Sequence, residues 1–162
     1  MILTDANGGW VIGLSFVVAL VLMLLPLPGW AEPYRPEWVL LVLIYWAIAL
    51  PGRVGVGTGW VLGLLMDTLQ GSLLGQHALA LAVVAYLAIA LHQRVRVFPL
   101  WQQALTELLL VGLKQLLVLW IRGGTGQVPT SWNYWLPSLT SMLLWPWVFI
   151  ILRDMRRRFR VT

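Results

Sequence analysis

Long apolar stretches, separated by short polar or proline-containing breaks, occupy most of the chain. Because an α-helix that crosses a bilayer core needs about 20 apolar residues, each stretch is a candidate membrane-spanning helix. No linker, repeat or soluble segment interrupts the series, so residues 1–162 are predicted to form a single domain. The apolar pattern predicts six helices, with the approximate spans 10–27, 36–50, 54–70, 74–91, 100–121 and 132–152.

The composition is typical of a membrane protein with several spans. Hydrophobic residues make up 60% of the chain and charged residues 10%, whereas a soluble domain carries roughly 25% charged residues. The 11 tryptophans agree with this, because tryptophan favours the membrane–water interface. We therefore predict an all-α, polytopic membrane protein with a compact bundle of six transmembrane helices. Trp46, Trp145 and Trp147 lie deep in their spans and are predicted to pack between helices.

The positions of the basic residues predict the orientation. With the C-terminus in the cytoplasm, the inner connections contain Arg53, Arg94 and Arg96, and the outer connections contain Arg35 and Arg122. The cytoplasmic side then has the excess of basic residues that is usual there, and six spans place the N-terminus in the cytoplasm as well. A basic tail follows the last span and is predicted to anchor to anionic membrane lipid rather than to nucleic acid. Its arginines are Arg153, Arg156, Arg157, Arg158 and Arg160.

In the third span, glycines recur around a single carboxylate. Residues four apart drift by about 40° around a helix, so Gly59, Gly63, Asp67 and Gly71 form one stripe, and Gly75 continues the spacing into the outer turn. Glycine allows a neighbouring helix to approach closely. The glycines are therefore predicted to be helix-packing positions, and Asp67 is predicted to face protein, where a carboxylate can find a partner.

The fifth span offers Asp67 a partner at a matching depth. Measured from the inner side at 1.5 Å per residue, Asp67 lies at about 18 Å and Lys114 at about 21 Å. This match predicts that the two groups pair, directly or through water. Glu107 shares a helix face with Lys114, and Gln115 and Gln70 extend the polar seam. The seam is interpreted as a structural ion pair that fixes helix register, with a ligand or partner-sensing site and a proton path as alternatives.

Other kinds of site have little support in the sequence. Cysteine is absent, and no metal-ligand cluster, phosphate-binding loop or catalytic Ser/His/Asp set is visible. His77 and His92 lie at opposite ends of the fourth span and are interpreted as interfacial. Pro146 removes a backbone hydrogen bond and is predicted to bend the last helix. We therefore expect no enzymatic activity, no cofactor and no metal.

Four features, in order along the chain, resemble the MreD family of rod shape-determining proteins in its Gram-negative form. They are the stretch RPEWVLL that begins at Arg35, the LP pair before Arg53, the glycine stripe, and the WPW sequence around Pro146. The resemblance implies a non-enzymatic scaffold of the cell-elongation complex in the bacterial inner membrane, which supports lateral peptidoglycan synthesis and rod shape. It implies association with MreC, with the elongation polymerase and its class B penicillin-binding protein, and with the actin-like MreB.

The resemblance also implies a fold and an alternative function. MreD proteins are thought to resemble the six-helix substrate-binding subunits of energy-coupling-factor transporters, which carry a similar glycine stripe. A vitamin-binding subunit is therefore the alternative, and it would show a polar, aromatic-lined pocket that opens outward. An ion-coupled carrier would show inverted repeats, which the sequence lacks. As a scaffold, the bundle is expected to receive the single span of MreC in a groove on its outer surface.

Overall fold

The computed structural model describes residues 9–25, 28, 37–50, 54–70, 75–124 and 136–158. All regular secondary structure in this part of the chain is α-helical, which confirms the prediction of a six-helix, all-α protein. The helices are α1 (Gly9–Leu24), α2 (Trp38–Ala49), α3 (Val56–Gln70), α4 (Gln76–Arg96), α5 (Leu100–Gly124) and α6 (Leu136–Arg158).

Three helices continue beyond their predicted ends, and the shortest extension is that of α5, from residue 121 to Gly124. α4 extends past residue 91 to Arg96, and α6 extends past residue 152 to Arg158. Both extensions contain several arginines, which an apolar criterion excludes although arginine is a good helix former. The described part of the basic tail therefore belongs to the last turns of α6. Arg160 lies outside the described residues, as does Gly71.

α2 is the centre of the bundle. All of its residues from Val39 to Ala49 are buried, and α1, α4, α5 and α6 contact it. A helix that is apolar on every side is usually surrounded by other elements, and the α2 sequence WVLLVLIYWAIA has this character. Its 12 residues rise by only about 18 Å. The longer helices around α2 therefore screen it.

α3 and α4 pack backbone to backbone. A Cβ atom on Gly59 would lie 2.8 Å from the carbonyl oxygen of Leu81, and one on Gly63 would lie 2.2 Å from the Cα of Ala78. Both distances are too short for a side chain. Gly75 is different, because no atom lies within 4 Å of its Cβ position and its φ is +96°. The assignment of Gly75 to helix packing is therefore wrong, and the turn that precedes α4 is what favours glycine there.

The deep tryptophans divide between the core and the surface. Trp46 and Trp145 are buried, and their indole N–H groups donate to Ser15 Oγ (2.9 Å) and Gln103 Oε1 (3.2 Å). Trp147 is 62% exposed, so the prediction that it packs between helices is wrong. Residues two apart point about 200° apart around a helix, and one face of α6 cannot hold both tryptophans of the WPW sequence.

Pro146 lies inside α6, which remains helical from Leu136 to Arg158. Proline cannot donate a backbone hydrogen bond, and its ring crowds the carbonyl four residues earlier. The bend at this position stays a prediction.

The outer surface of the bundle is apolar. Large exposed hydrophobic side chains occur on every helix other than α2. Among the described residues, the segments Gln76–Arg96 and Leu100–Ile121 are both long and apolar enough to cross a membrane, and α1, α2 and α3 contain shorter apolar helices. Lipid would cover such a surface without the free-energy cost of exposing apolar side chains to water. Examples of the exposed side chains are Val17, Val61, Tyr86, Leu109 and Leu143.

Candidate functional site

Asp67 caps the start of α4. Its carboxylate accepts the backbone N–H groups of Gly75 (2.8 Å) and His77 (3.0 Å), with a longer contact to the N–H of Ala78 (3.5 Å). The first N–H groups of a helix have no partner within it and form its positive end, which stabilises a buried carboxylate. The imidazole of His77 adds a contact, with Nδ1 2.8 Å from Oδ1 of Asp67. Because an ionised carboxylate only accepts, Nδ1 is the donor.

Lys114 pairs with Glu37. Its Nζ lies 2.9 Å from Oε1 of Glu37, and the two side chains are only 6% and 11% exposed. Glu37 directly precedes α2, and its backbone N–H donates to Oγ of Ser141 on α6 (3.0 Å). This ion pair therefore fixes α5 to the start of α2, and the adjacent hydrogen bond holds α6 at the same place.

The sequence predicts that Asp67 and Lys114 pair directly or through water, and in the described part of the chain Asp67 contacts His77 while Lys114 contacts Glu37. An approach of Asp67 to Lys114 through water stays a prediction. Similar depth in the membrane relates Asp67 on α3 to Lys114 on α5. It does not predict the residues at the starts of α2 and α4, which are the ones that these two side chains contact. His77 is 4% exposed, so its interpretation as interfacial is wrong. The imidazole is also within electrostatic range of Lys114 and Glu37. We call these four residues, Glu37, Asp67, His77 and Lys114, the ionic cluster.

The other described polar residues of the predicted seam have surroundings that differ from those of the ionic cluster. Gln115 accepts a hydrogen bond from Ser138 on α6. Glu107 is 1% exposed, and its Oε1 has no hydrogen-bond partner within the described part of the chain. The side chain of Gln70 lies outside the described residues. The polar positions of α5 therefore face different neighbours, Glu37 before α2 for Lys114 and Ser138 on α6 for Gln115.

Sequence reasoning missed Glu37, His77, Ser138 and Ser141. A signal for the first two exists, because both stand within three residues of a predicted helix start, where unpaired N–H groups favour polar and acidic side chains. The two serines carry no comparable signal, since a small hydroxyl residue fits many positions in an apolar helix. Across the described ranges, no three histidine, aspartate or glutamate side chains are placed to hold a metal ion.

Arginines gather at the opposite end of the bundle. Arg96, the last residue of α4, donates through Nε and Nη2 to the carbonyl oxygens of Ile48 and Ala49, at 2.9 Å each. It thereby satisfies carbonyl groups that the end of α2 leaves free. Arg153 and Arg156 of α6 line the same cavity as Arg96. The ends of α2, α4 and α6 therefore lie on one side of the bundle.

Comparison with known proteins identifies the family to which this arrangement belongs. The family described as rod shape-determining protein MreD matches residues 4–155. This chain belongs to the MreD family. A relative described as rod shape-determining protein MreD, from Haemophilus influenzae, is 37% identical over 146 residues, which cover 90% of each MreD chain. No solved structure matches the chain significantly, so the likeness of MreD to transporter subunits stays a prediction.

Membership of the MreD family confirms the resemblance found in the sequence and gives the chain a role in determining rod cell shape. The apolar helices agree with an MreD protein in a membrane. The ionic cluster joins α2, α3, α4 and α5, and each of its side chains contacts another member. Its geometry is therefore that of a structural cluster of ion pairs and hydrogen bonds that holds MreD helices together.

Proposed function

We propose that this chain is a non-enzymatic scaffold of the bacterial cell-elongation complex that binds MreC and supports lateral peptidoglycan synthesis. The observation that carries the proposal is the MreD family match over nearly the whole chain. The elongation polymerase, its class B penicillin-binding protein and MreB are further proposed partners. The apolar outer surface supports a scaffold, because partners in the bilayer would contact helix faces.

We further propose that the protein is a multi-pass inner-membrane protein with both termini in the cytoplasm. The ends of α2, α4 and α6 share one side, where Arg96, Arg153 and Arg156 also lie. Basic residues favour the cytoplasmic side of a membrane. A fluorescent protein fused to the C-terminus should therefore be bright, and an alkaline phosphatase fused there should be inactive. The reverse pair of results would contradict this orientation.

We assign the MreC span to an apolar groove between α1, α2 and α6. The groove has a volume of about 250 Å³ and includes Val18, Val42 and Leu152 in its lining. Its one hydroxyl, on Ser15, already donates to Ile12 and accepts from an indole N–H. Helices in a bilayer associate through close van der Waals packing, because lipid tails are as apolar as the side chains. A concave apolar surface offers a partner helix more such contact than a flat one.

Co-purification with MreC tests both the scaffold and the groove. Val18→Trp should fill the groove and sharply reduce the MreC retained in detergent. Leu116→Trp is the matched control, because it enlarges a side chain of similar exposure (52% against 48%) in the groove between α5 and α6. Complementation of rod shape in cells that lack their own MreD should follow the same order.

The possible failures are distinguishable. If the unaltered protein never retains MreC under conditions that keep related pairs together, the scaffold proposal fails. If both tryptophan variants retain MreC as well as the unaltered protein does, the groove assignment fails and the scaffold proposal stands. A vitamin-like molecule that stays bound through gentle purification would favour the transporter-subunit alternative.

A further inference from the structure

A cavity lined by arginines lies where α2, α4 and α6 end. Its volume is about 320 Å³, which is far more than the roughly 10–15 Å³ that a cavity needs in order to hold one water molecule. Aromatic side chains of Tyr45, Trp145 and Phe149 form part of its wall. None of the described residues that line it is acidic. Its basic residues are Arg96, Arg153, Arg156 and Arg157.

One buried guanidinium donor in this cavity has no acceptor in the described part of the protein. The Nε of Arg153 is buried without a hydrogen-bond partner there. The carboxylate of Asp154 is 4.0 Å from this Nε, which exceeds hydrogen-bond distance. Arg96 donates through Nε and Nη2 to carbonyl groups of α2. These two hydrogen bonds hold its guanidinium group in place beside the cavity. A buried donor without an acceptor is costly, and an anion in the cavity would remove that cost.

We propose that this cavity binds a phosphate group, carried either by an anionic phospholipid or by a soluble phosphate compound. Guanidinium groups are planar forks that bind phosphate oxygens through paired, charge-assisted hydrogen bonds. The excess of one charge sign selects an anion, and the aromatic wall suits the less polar part of a headgroup. Anchoring of a basic tail to a membrane surface needs no defined cavity, whereas this site uses side chains from four helices.

Binding of short-chain lipid to the full-length protein in neutral detergent tests the proposal. The probes are dioctanoyl phosphatidylglycerol, zwitterionic dioctanoyl phosphatidylcholine and sodium pyrophosphate, titrated by microscale thermophoresis. We expect saturable binding of an anionic probe that exceeds binding of phosphatidylcholine. The double variant Arg153→Gln/Arg156→Gln should weaken it about tenfold, because it removes charge-assisted hydrogen bonds. Arg94→Gln/Arg158→Gln removes the same charge from residues outside the cavity lining and should change it less than about twofold.

A second double variant separates geometry from charge. Arg153→Lys/Arg156→Lys keeps both charges and removes the planar forks, so affinity should fall by an intermediate amount. If the glutamine pair unfolds, as circular dichroism would show, the lysine pair still provides the test. A lysine pair that binds as well as the unaltered protein overturns the proposal.

The two anionic probes identify the source of the phosphate. Saturable binding of phosphatidylglycerol without pyrophosphate binding assigns the site to a lipid headgroup, and binding of pyrophosphate assigns it to a soluble compound. Either result supports the proposal. Absence of saturable binding of both probes overturns it, as does an equal loss in the two glutamine pairs. None of these readouts involves MreC, so they are independent of the scaffold proposal.

Discussion

The two ends of the bundle differ in how their charged side chains are paired. At one end, the ionic cluster contains both signs of charge, is buried, and pairs its members with one another. At the other end, Arg153, Arg156 and Arg157 surround a cavity without an acidic residue in its described lining. The first end therefore fastens helices to one another, and the second end is open to a ligand from outside the chain.

The difference follows from which helix ends lie at each place. α4 begins in the ionic cluster, and the N–H groups at its start attract the carboxylate of Asp67. α2 ends at the arginine cavity, and its free carbonyl groups attract Arg96. Helix starts favour negative groups and helix ends favour positive ones. Among the described residues, a neighbouring helix supplies the opposite charge at the first end, where Lys114 meets Glu37, and the lining of the arginine cavity contains no acidic residue.

Lys114→Met should cause the largest loss of stability. It leaves the Glu37 carboxylate buried without its partner, which should lower the free energy of unfolding by about 3–5 kcal/mol. Adding Glu37→Gln should restore part of the loss, because an amide needs no counterion. Thermal unfolding in detergent measures both effects. The control is Arg94→Met, which changes an exposed arginine at the other end and should alter stability little.

A double-mutant cycle compares the two single variants with the double variant. Applied to these residues, it also tests which side chains are partners. Glu37 and Lys114 should show strong coupling, whereas the same cycle on Asp67 and Lys114 should show much weaker coupling. If the strong coupling instead lies between Asp67 and Lys114, the two pairs seen in the ionic cluster are not the ones that stabilise the protein.

Gly63→Ala should cause the next largest loss, on the stripe that leads to the ionic cluster. The added Cβ meets the backbone of Ala78 at 2.2 Å, so α3 and α4 must separate, at a cost of about 1–3 kcal/mol. Gly112→Ala in α5 is the matched control, because no atom lies within 4 Å of its Cβ position. Removing a glycine from a helix interior there should stabilise the protein by about 0.5–1 kcal/mol. Equal effects at the two sites would contradict backbone contact between α3 and α4.

Asp67→Asn should have a smaller effect, because asparagine keeps the shape and one acceptor oxygen. Loss of the charged acceptor at the start of α4 should lower stability by about 1–2 kcal/mol. Amide hydrogen exchange at Gly75 and His77 should accelerate, since both N–H groups donate to this carboxylate. Asp154→Asn makes the same chemical change on an exposed side chain (68%) at the other end and should leave stability nearly unchanged. If the two variants lost comparable stability, the carboxylates at the two ends of the bundle would contribute equally, contrary to this prediction.

The helices could be predicted from the sequence because apolar character and length are local properties. The central position of α2 could be inferred only in part, since a short apolar run is compatible with either a lipid-facing or a surrounded helix. The four-residue spacing of Gly59 and Gly63 places both on one face whatever the neighbour is. Which helix packs against that face is a tertiary property, and the structure identifies it as α4.

The partners of Asp67 and Lys114 could not be derived from depth. Counting residues fixes one coordinate along the membrane normal and leaves the neighbours of each helix undetermined. The turn before α4 brings the N–H of His77 to the carboxylate of Asp67, and the start of α2 brings Glu37 to Lys114. Both contacts depend on how helices are arranged around the bundle. Charges at helix starts therefore have to be considered beside those in the middle of spans.

Of these variants, Arg157→Gln should have the smallest effect on stability. It should nevertheless weaken binding of the phosphate-containing probe. Arg157 lines the cavity but is exposed, so its replacement should change the free energy of unfolding by no more than about 0.5 kcal/mol. A cation that touches an incoming phosphate still contributes to its affinity, and binding of the anionic probe that the cavity accepts should weaken about threefold. Arg94→Gln, which changes an exposed arginine near the end of α4 outside the described lining, should leave both quantities nearly unchanged. A loss of stability without a loss of lipid affinity at Arg157 would mean that the arginine end fastens helices as the ionic cluster does, because only a residue committed to internal contacts would behave in that way.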